Sequence, residues 1–309
     1  MGDAENDLKN EHQVLATNLG GVIMKLHGVW IPLITPLIDD HIDYQSLQRL
    51  IDFYIEKGVS GLIPLATTGE SPAIEEDEYL EVIEKILEFT RGRVPVFIGL
   101  GGNYTKKVVK QLKKVEHYKV DGILSVTPYY NRPDQNGIFQ HFLEMSEATA
   151  LPIIIYNIPY RTGRNIENAT IYKLAELKNI IGLKDSCGDL KQTTELLLNR
   201  PADFSILTGE DALFYTTLTL GGDGGILASA HLATGIFLEV FKLIQANNHQ
   251  KALEKWRGLA EFIPSLFVEP NPAPIKYCLK QQGMIRSLET RLPLTEISSG
   301  LKEKLNRFL

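Results

Sequence analysis

The chain has 309 residues, 44% of them hydrophobic and 23% charged, with a net charge of −6. That balance describes an ordinary globular protein and argues against a nucleic-acid-binding surface. No apolar run approaches the ~20 residues needed to cross a bilayer, and Cys187 and Cys278 lack any CxxC spacing, so a cytoplasmic protein off the membrane is expected. Residues 1–23 are polar and mixed in charge, without the apolar centre of a signal peptide. They read as an N-terminal extension, with Met24 as a candidate start of the functional chain.

From His27 onward, short apolar runs alternate with amphipathic stretches. Strands are expected over residues 29–34, 61–65, 94–99, 122–126, 152–156, 179–184, 204–208 and 225–228. Helices are expected after each: over 43–57, one with the stripe Tyr79, Val82, Ile83, Ile86 and Leu87, and then over 105–118, 137–150, 168–177, 190–199, 211–220 and 232–246. The first helix places Leu47, Leu50, Ile51, Tyr54 and Ile55 on one face, and Gly58 supplies its stop. Eight strand–helix units in strict alternation predict a closed (β/α)8 TIM barrel, with an open doubly wound sheet as the alternative. After Asn248 the strands cease, and residues 249–262, 274–282 and 298–309 read as helical. The expected division is therefore 1–23 extension, 24–247 barrel and 248–309 C-terminal helical appendage.

The sixth strand carries the sharpest signal. Asn179-Ile180-Ile181-Gly182-Leu183 runs into Lys184 and then into polar Asp185-Ser186. Buried parallel strands place chemistry at their C-terminal ends, and desolvation lowers the pKa of an amine there. A lysine so tuned can attack a carbonyl and form a Schiff base. Asp185 is the obvious ion-pair partner, but neighbouring strand residues point to opposite faces. Other strand ends bring Thr67-Thr68-Gly69-Glu70, Thr127-Pro128-Tyr129-Tyr130-Asn131, and Tyr156-Asn157 followed by Arg161 to the same mouth. Each has a bland explanation as a turn, loop packing or a surface charge; their convergence with a strand-end lysine does not. Imine chemistry needs a proton relay, which tyrosine and threonine hydroxyls supply. The Thr67-Thr68-Gly69 turn suits a carboxylate, and an arginine suits a second one. The seven histidines form no HExxH or HxH pattern, so no metal is expected. Gly221-Gly222-Asp223-Gly224-Gly225 precedes the eighth strand, where a tight turn explains it better than a phosphate cradle.

These motifs, together with Tyr156-Asn157-Ile158-Pro159-Tyr160-Arg161-Thr162-Gly163 and Phe267-Val268-Glu269-Pro270-Asn271-Pro272, resemble the dihydrodipicolinate synthase and N-acetylneuraminate lyase family from about Gly28 onward. The resemblance implies that Lys184 forms an imine with pyruvate, needing no other cofactor. It implies Tyr156 as acid/base, with Thr67 and Tyr130 completing the relay and Tyr130 reaching across from a neighbouring subunit. At least a dimer follows, usually a dimer of dimers forming a homotetramer. Thr67 and Thr68 would hold the pyruvate carboxylate, Gly209 and Ile226 would line the pocket, and Arg161 would hold the carboxylate of aspartate semialdehyde. Arg161 and the Glu-Pro-Asn-Pro segment resemble the synthases, whereas Lys-Asp-Ser resembles some sugar-acid aldolases of the group; Ala66 in place of the usual glycine is a milder departure. The readings in order are synthase, 2-oxo acid aldolase, and a non-catalytic metabolite-binding barrel. Lysine-inhibited synthases bind lysine at a subunit interface; Asn103, Tyr129 and Ser71 match that pattern, but Lys107 stands where a glutamate is expected, and Glu76 and Tyr79 where histidines are. A cation facing an ammonium implies insensitivity to lysine.

Overall fold

The computed structural model describes residues 25–309, so the N-terminal extension and Met24 lie outside the described residues. Eight strands form one parallel sheet: β1 (Gly28–Ile31), β2 (Gly61–Leu62), β3 (Phe97–Gly99), β4 (Gly122–Val126), β5 (Ile153–Asn157), β6 (Ile180–Asp185), β7 (Ser205–Thr208) and β8 (Gly224–Ile226). The sheet runs from β2 through β1 and β8 round to β3, and a single bridge between Leu62 and Val96 joins its two ends. The expected (β/α)8 barrel is therefore the observed architecture, and the open sheet is not.

The first three strands are shorter than expected because Pro32, Pro64 and Pro95 have no N–H for the ladder. Pairing nevertheless continues past their formal ends, with Ile63 N donating to Ile31 O at 2.8 Å and Leu33 N to Ile63 O at 3.0 Å. Around the sheet lie α1 (Tyr44–Lys57), α2 (Glu76–Thr90), α3 (Thr105–Val115), α4 (Gln135–Ala148), α5 (Asn168–Leu174), α6 (Leu190–Leu198), α7 (Phe214–Thr219) and α8 (Ala230–Gln245). A hairpin at Leu37–Ile38 and His41–Ile42, and a helical turn at Pro159–Thr162, were not anticipated. Helix α1 buries Leu47, Leu50, Ile51 and Tyr54 as its spacing requires. Asp43 caps it by accepting from Ser46 N, and Gly58, at φ 87, closes it in the left-handed conformation.

Strand residues alternate between two apolar layers. Val29, Ile31, Ile153, Ile155 and Leu183 pack outward against the helices. Trp30, Ile63, Phe97, Leu124, Ile154 and Leu207 fill the barrel interior, with Trp30 edge-on to Phe97 at 5.4 Å. The C-terminal segment adds α9 (His249–Arg257), α10 (Phe262–Ser265), α11 (Ala273–Gln281) and α12 (Ser299–Leu305). Helices α9 and α11 pack directly on α8.

Candidate active site

The direction of Lys184 depends on an irregularity in β6. Ile153 pairs with Ile180, but the next residue of β5, Ile154, pairs with Gly182, so Ile181 is an extra residue in the register. A bulge of this kind shifts the alternation by one. Beyond it Lys184 pairs with Tyr156, which belongs to the interior layer, and Leu183 with outward-facing Ile155. Without the extra residue, Lys184 would share the parity of Ile155 and face the helices.

Lys184 is 5% exposed. Its amine lies 4.1 Å from the centre of the Tyr156 ring. Burial lowers its pKa from 10.5 to about 8; Asp211 and Glu210 oppose the shift and Arg161 adds to it, all from a distance. At pH 7 about one amine in ten is then neutral, against roughly three in ten thousand for an unperturbed lysine. Asp185 does not neutralise it. Its carboxylate turns outward, accepting from Thr193 Oγ1 at 2.6 Å and Cys187 N at 3.1 Å.

The amine opens into a cavity of about 480 Å³ whose walls include Thr67, Thr68, Tyr156, Arg161, Gly209 and Ile226. Six of the eight site residues read from sequence therefore meet Lys184 in one chamber. Gly209 is required there: a Cβ at this position would stand 2.4 Å from both Lys184 Cε and Ser186 Oγ. Tyr156 is buried, and burial pushes its hydroxyl well above the ordinary tyrosine value, so it is a protonated donor at neutral pH. Thr67 and Tyr156 also border a second, more apolar cavity of about 250 Å³, which Tyr129 lines. Arg161 stands exposed at the rim on the Pro159–Thr162 turn, its Nε donating to Tyr160 Oη at 3.1 Å.

Tyr130 is the exception. It borders neither cavity and is 90% exposed. Its backbone is left-handed at φ 70, unusual for an aromatic residue, and Asn131 Nδ2, donating to Asn103 O at 2.8 Å, ties the loop down. The chain presents this phenol outward and does not bring it to its own lysine.

Several lining residues were missed from sequence. Glu210 and Asp211 follow Gly209 at the end of β7, a position that was itself the available signal. Burial raises both carboxyls, while Ser229 N and Oγ donate to Asp211 at 2.6 and 2.5 Å and oppose its shift. Asn271, from the Glu-Pro-Asn-Pro segment, lines the same chamber and donates through Nδ2 to Thr68 Oγ1 at 2.9 Å. No alternation pattern points to it, because it lies outside the barrel repeat. Among the described residues no three His, Cys, Asp or Glu side chains cluster as a metal site.

A buried, partly neutral amine beside a phenol, with hydroxyls on one side and a guanidinium at the rim, is equipped to form an imine with a small carbonyl compound. The model of the Dihydrodipicolinate synthetase family matches residues 25–309. The 4-hydroxy-tetrahydrodipicolinate synthase 2 of Clostridium acetobutylicum is 59% identical over 286 residues, 93% of this chain and 100% of that protein. The structure of dihydrodipicolinate synthase from Thermotoga maritima aligns with TM-score 0.89 at 37% identity, covering 92% of this chain and 97% of that one. The chloride-inhibited synthase from Acinetobacter baumannii, solved in complex with pyruvate, aligns with TM-score 0.88 at 34% identity, covering 91% and 97%. With every described residue inside the family match and a relative this similar along its whole length, the chain belongs to the dihydrodipicolinate synthetase family.

Proposed function

We propose that the chain condenses pyruvate with aspartate semialdehyde to give 4-hydroxy-tetrahydrodipicolinate, by way of an imine on Lys184. The observation that carries this reading is the Lys184 amine, lowered to about 8 by burial and free of any carboxylate contact, facing a chamber shared with Thr67, Thr68, Tyr156 and Arg161. The neutral amine adds to the pyruvate carbonyl carbon, and Tyr156 gives and takes the protons needed to expel water. Loss of a methyl proton then yields the enamine, whose carbon attacks the aldehyde. The acceptor's amine adds to the imine carbon and displaces Lys184. Thr67 and Thr68 hold the pyruvate carboxylate and Arg161 that of the acceptor. Tyr130 serves the relay of a second copy, consistent with its outward, strained placement; a homotetramer built as a dimer of dimers is the assembly we expect. We expect it in the cytoplasm, in keeping with two cysteines that are not paired with each other.

The aldolase alternative drew on Asp185 following the lysine. That carboxylate faces Thr193 on α6 and stays out of the chamber, so it has no direct contact through which to choose an acceptor. Borohydride reduction in the presence of pyruvate should add a pyruvate-derived mass to the peptide bearing Lys184. Product formation should then favour aspartate semialdehyde over sugar-acid aldehydes, and Arg161→Ala should impair use of the aldehyde while sparing imine formation. Labelling elsewhere, or none, would favour the non-catalytic barrel.

A further inference from the structure

The turn that carries Thr67 and Thr68 is held in place from the far end of the chain. It is conformationally costly: Leu65 and Glu70 are both left-handed at φ 56 without being glycine. In that conformation the Cβ crowds the following carbonyl oxygen, so each such residue is disfavoured. Gly69 between them has no room for a side chain, since a Cβ would stand 2.8 Å from Leu65 N and 3.0 Å from Leu33 O. A turn of this kind persists only where its surroundings over-determine it. From the barrel it receives one side-chain bond, Thr35 Oγ1 donating to Gly69 O at 2.8 Å.

The C-terminal segment supplies the rest. Glu70 is ion-paired with Lys276 of α11, and their side chains are 1% and 0% exposed. The Lys276 amine also donates to Glu289 O at 2.7 Å, and Arg291 N donates to Glu70 Oε2 at 3.2 Å. The Arg291 side chain then grips the start of α2 by donating to Ala73 O at 2.9 Å and to both Glu78 oxygens at 2.6 and 2.7 Å. Asn271 donates to Thr68 Oγ1, which leaves the Thr68 hydroxyl proton free for a bound carboxylate. We propose that Lys276 and Glu70 are positioning residues: their buried pair sets the Thr67-Thr68 turn in the geometry that binds the 2-oxo acid carboxylate. The C-terminal helices thereby tune the barrel's substrate affinity although the reacting lysine lies on β6.

This inference rests on the pyruvate reading, and the test keeps the two apart. Removing one partner strands a buried charge, whereas replacing both with neutral groups of similar size is often tolerated. The double variant Glu70→Gln with Lys276→Met is therefore compared with the native enzyme by thermal unfolding, steady-state kinetics and borohydride trapping at graded pyruvate. The expected result is a native-like melting temperature with the pyruvate KM and half-saturation of trapping raised tenfold or more, kcat changing less. A folded double variant with native half-saturation would overturn the proposal while leaving the imine reading intact. Failure of the native enzyme to trap pyruvate at all would overturn both. Should the double variant not fold, Arg291→Gln, which loosens the same strap by removing its bonds to Ala73 and Glu78, is expected to raise the half-saturation several-fold; an unchanged value there would equally count against the clamp.

Discussion

Lys184 and Lys276 are buried almost equally, at 5% and 0% exposure, yet they are buried in opposite ways. Lys276 enters the interior with its counter-charge, Glu70, and a backbone carbonyl from Glu289. Burial lowers its amine, and Glu70 pulls it back toward the charged form. Lys184 has an aromatic face 4.1 Å away and only distant carboxylates, and its amine falls to about 8. Burial alone therefore does not mark a reactive lysine; the partner supplied with it does. One amine is held against a buried carboxylate, and the other faces the chamber without one.

Methionine at each position breaks this comparison most directly. Lys184→Met should abolish imine trapping and turnover, yet stabilise the fold at pH 7 by up to about 3 kcal/mol, the equivalent of moving an amine from 10.5 to about 8. Lys276→Met should do the reverse, costing ~3–5 kcal/mol in urea unfolding by leaving Glu70 buried and unpaired. Destabilisation of the same size at both sites would erase the distinction.

Tyr156→Phe sharpens the reactive side. Turnover should fall by ~10²–10⁴-fold with a much smaller change in pyruvate binding, because a lost proton relay acts on the transition state. Near-native turnover would show that the proton travels another way.

The pH dependence follows from the sign of the Lys184 shift. In the proposed reaction the neutral amine is the nucleophile, so kcat/KM for pyruvate should rise about tenfold per unit below pH 8 and level off above it. For stability, the unfolded chain holds this proton up to pH 10.5 and the folded one only to about 8. Native stability, measured against Lys184→Met, should thus climb between those values. A flat rate profile through pH 8 would mean that the amine is not depressed.

The smallest expected effect is on regulation. Glu76, the anion that the sequence offers as an offset to Lys107, is ion-paired with Lys114, which together with Lys110 and Lys107 holds its carboxyl below the usual range. Tyr79 is buried, its hydroxyl donating to Gly99 O at 2.9 Å. Millimolar lysine should leave turnover unchanged. Inhibition in that range, relieved by Asn103→Ala, would show that the interface still accepts an ammonium group.

The alternation of eight apolar runs with amphipathic stretches was enough to specify the barrel, because helix and strand periods are local properties of the chain. The strand-end rule likewise brought Lys184, Tyr156, Thr67, Thr68 and Arg161 to one mouth before any coordinates. Proline positions decided strand lengths and were legible too, although the apolar runs hid them. Other features needed the tertiary structure. Simple alternation from Ile180 would have turned Lys184 away from the chamber; the extra residue Ile181 reverses that parity, and only pairing with Ile153 and Ile154 reveals it. Glu70 and Lys276 lie 206 positions apart, and neither the charge of one nor the helical spacing of the other announces a partner. Local sequence sets which residues share a face of an element. Which buried charge meets which, and which way a bulged strand aims its last side chain, depends on long-range packing that no local pattern encodes.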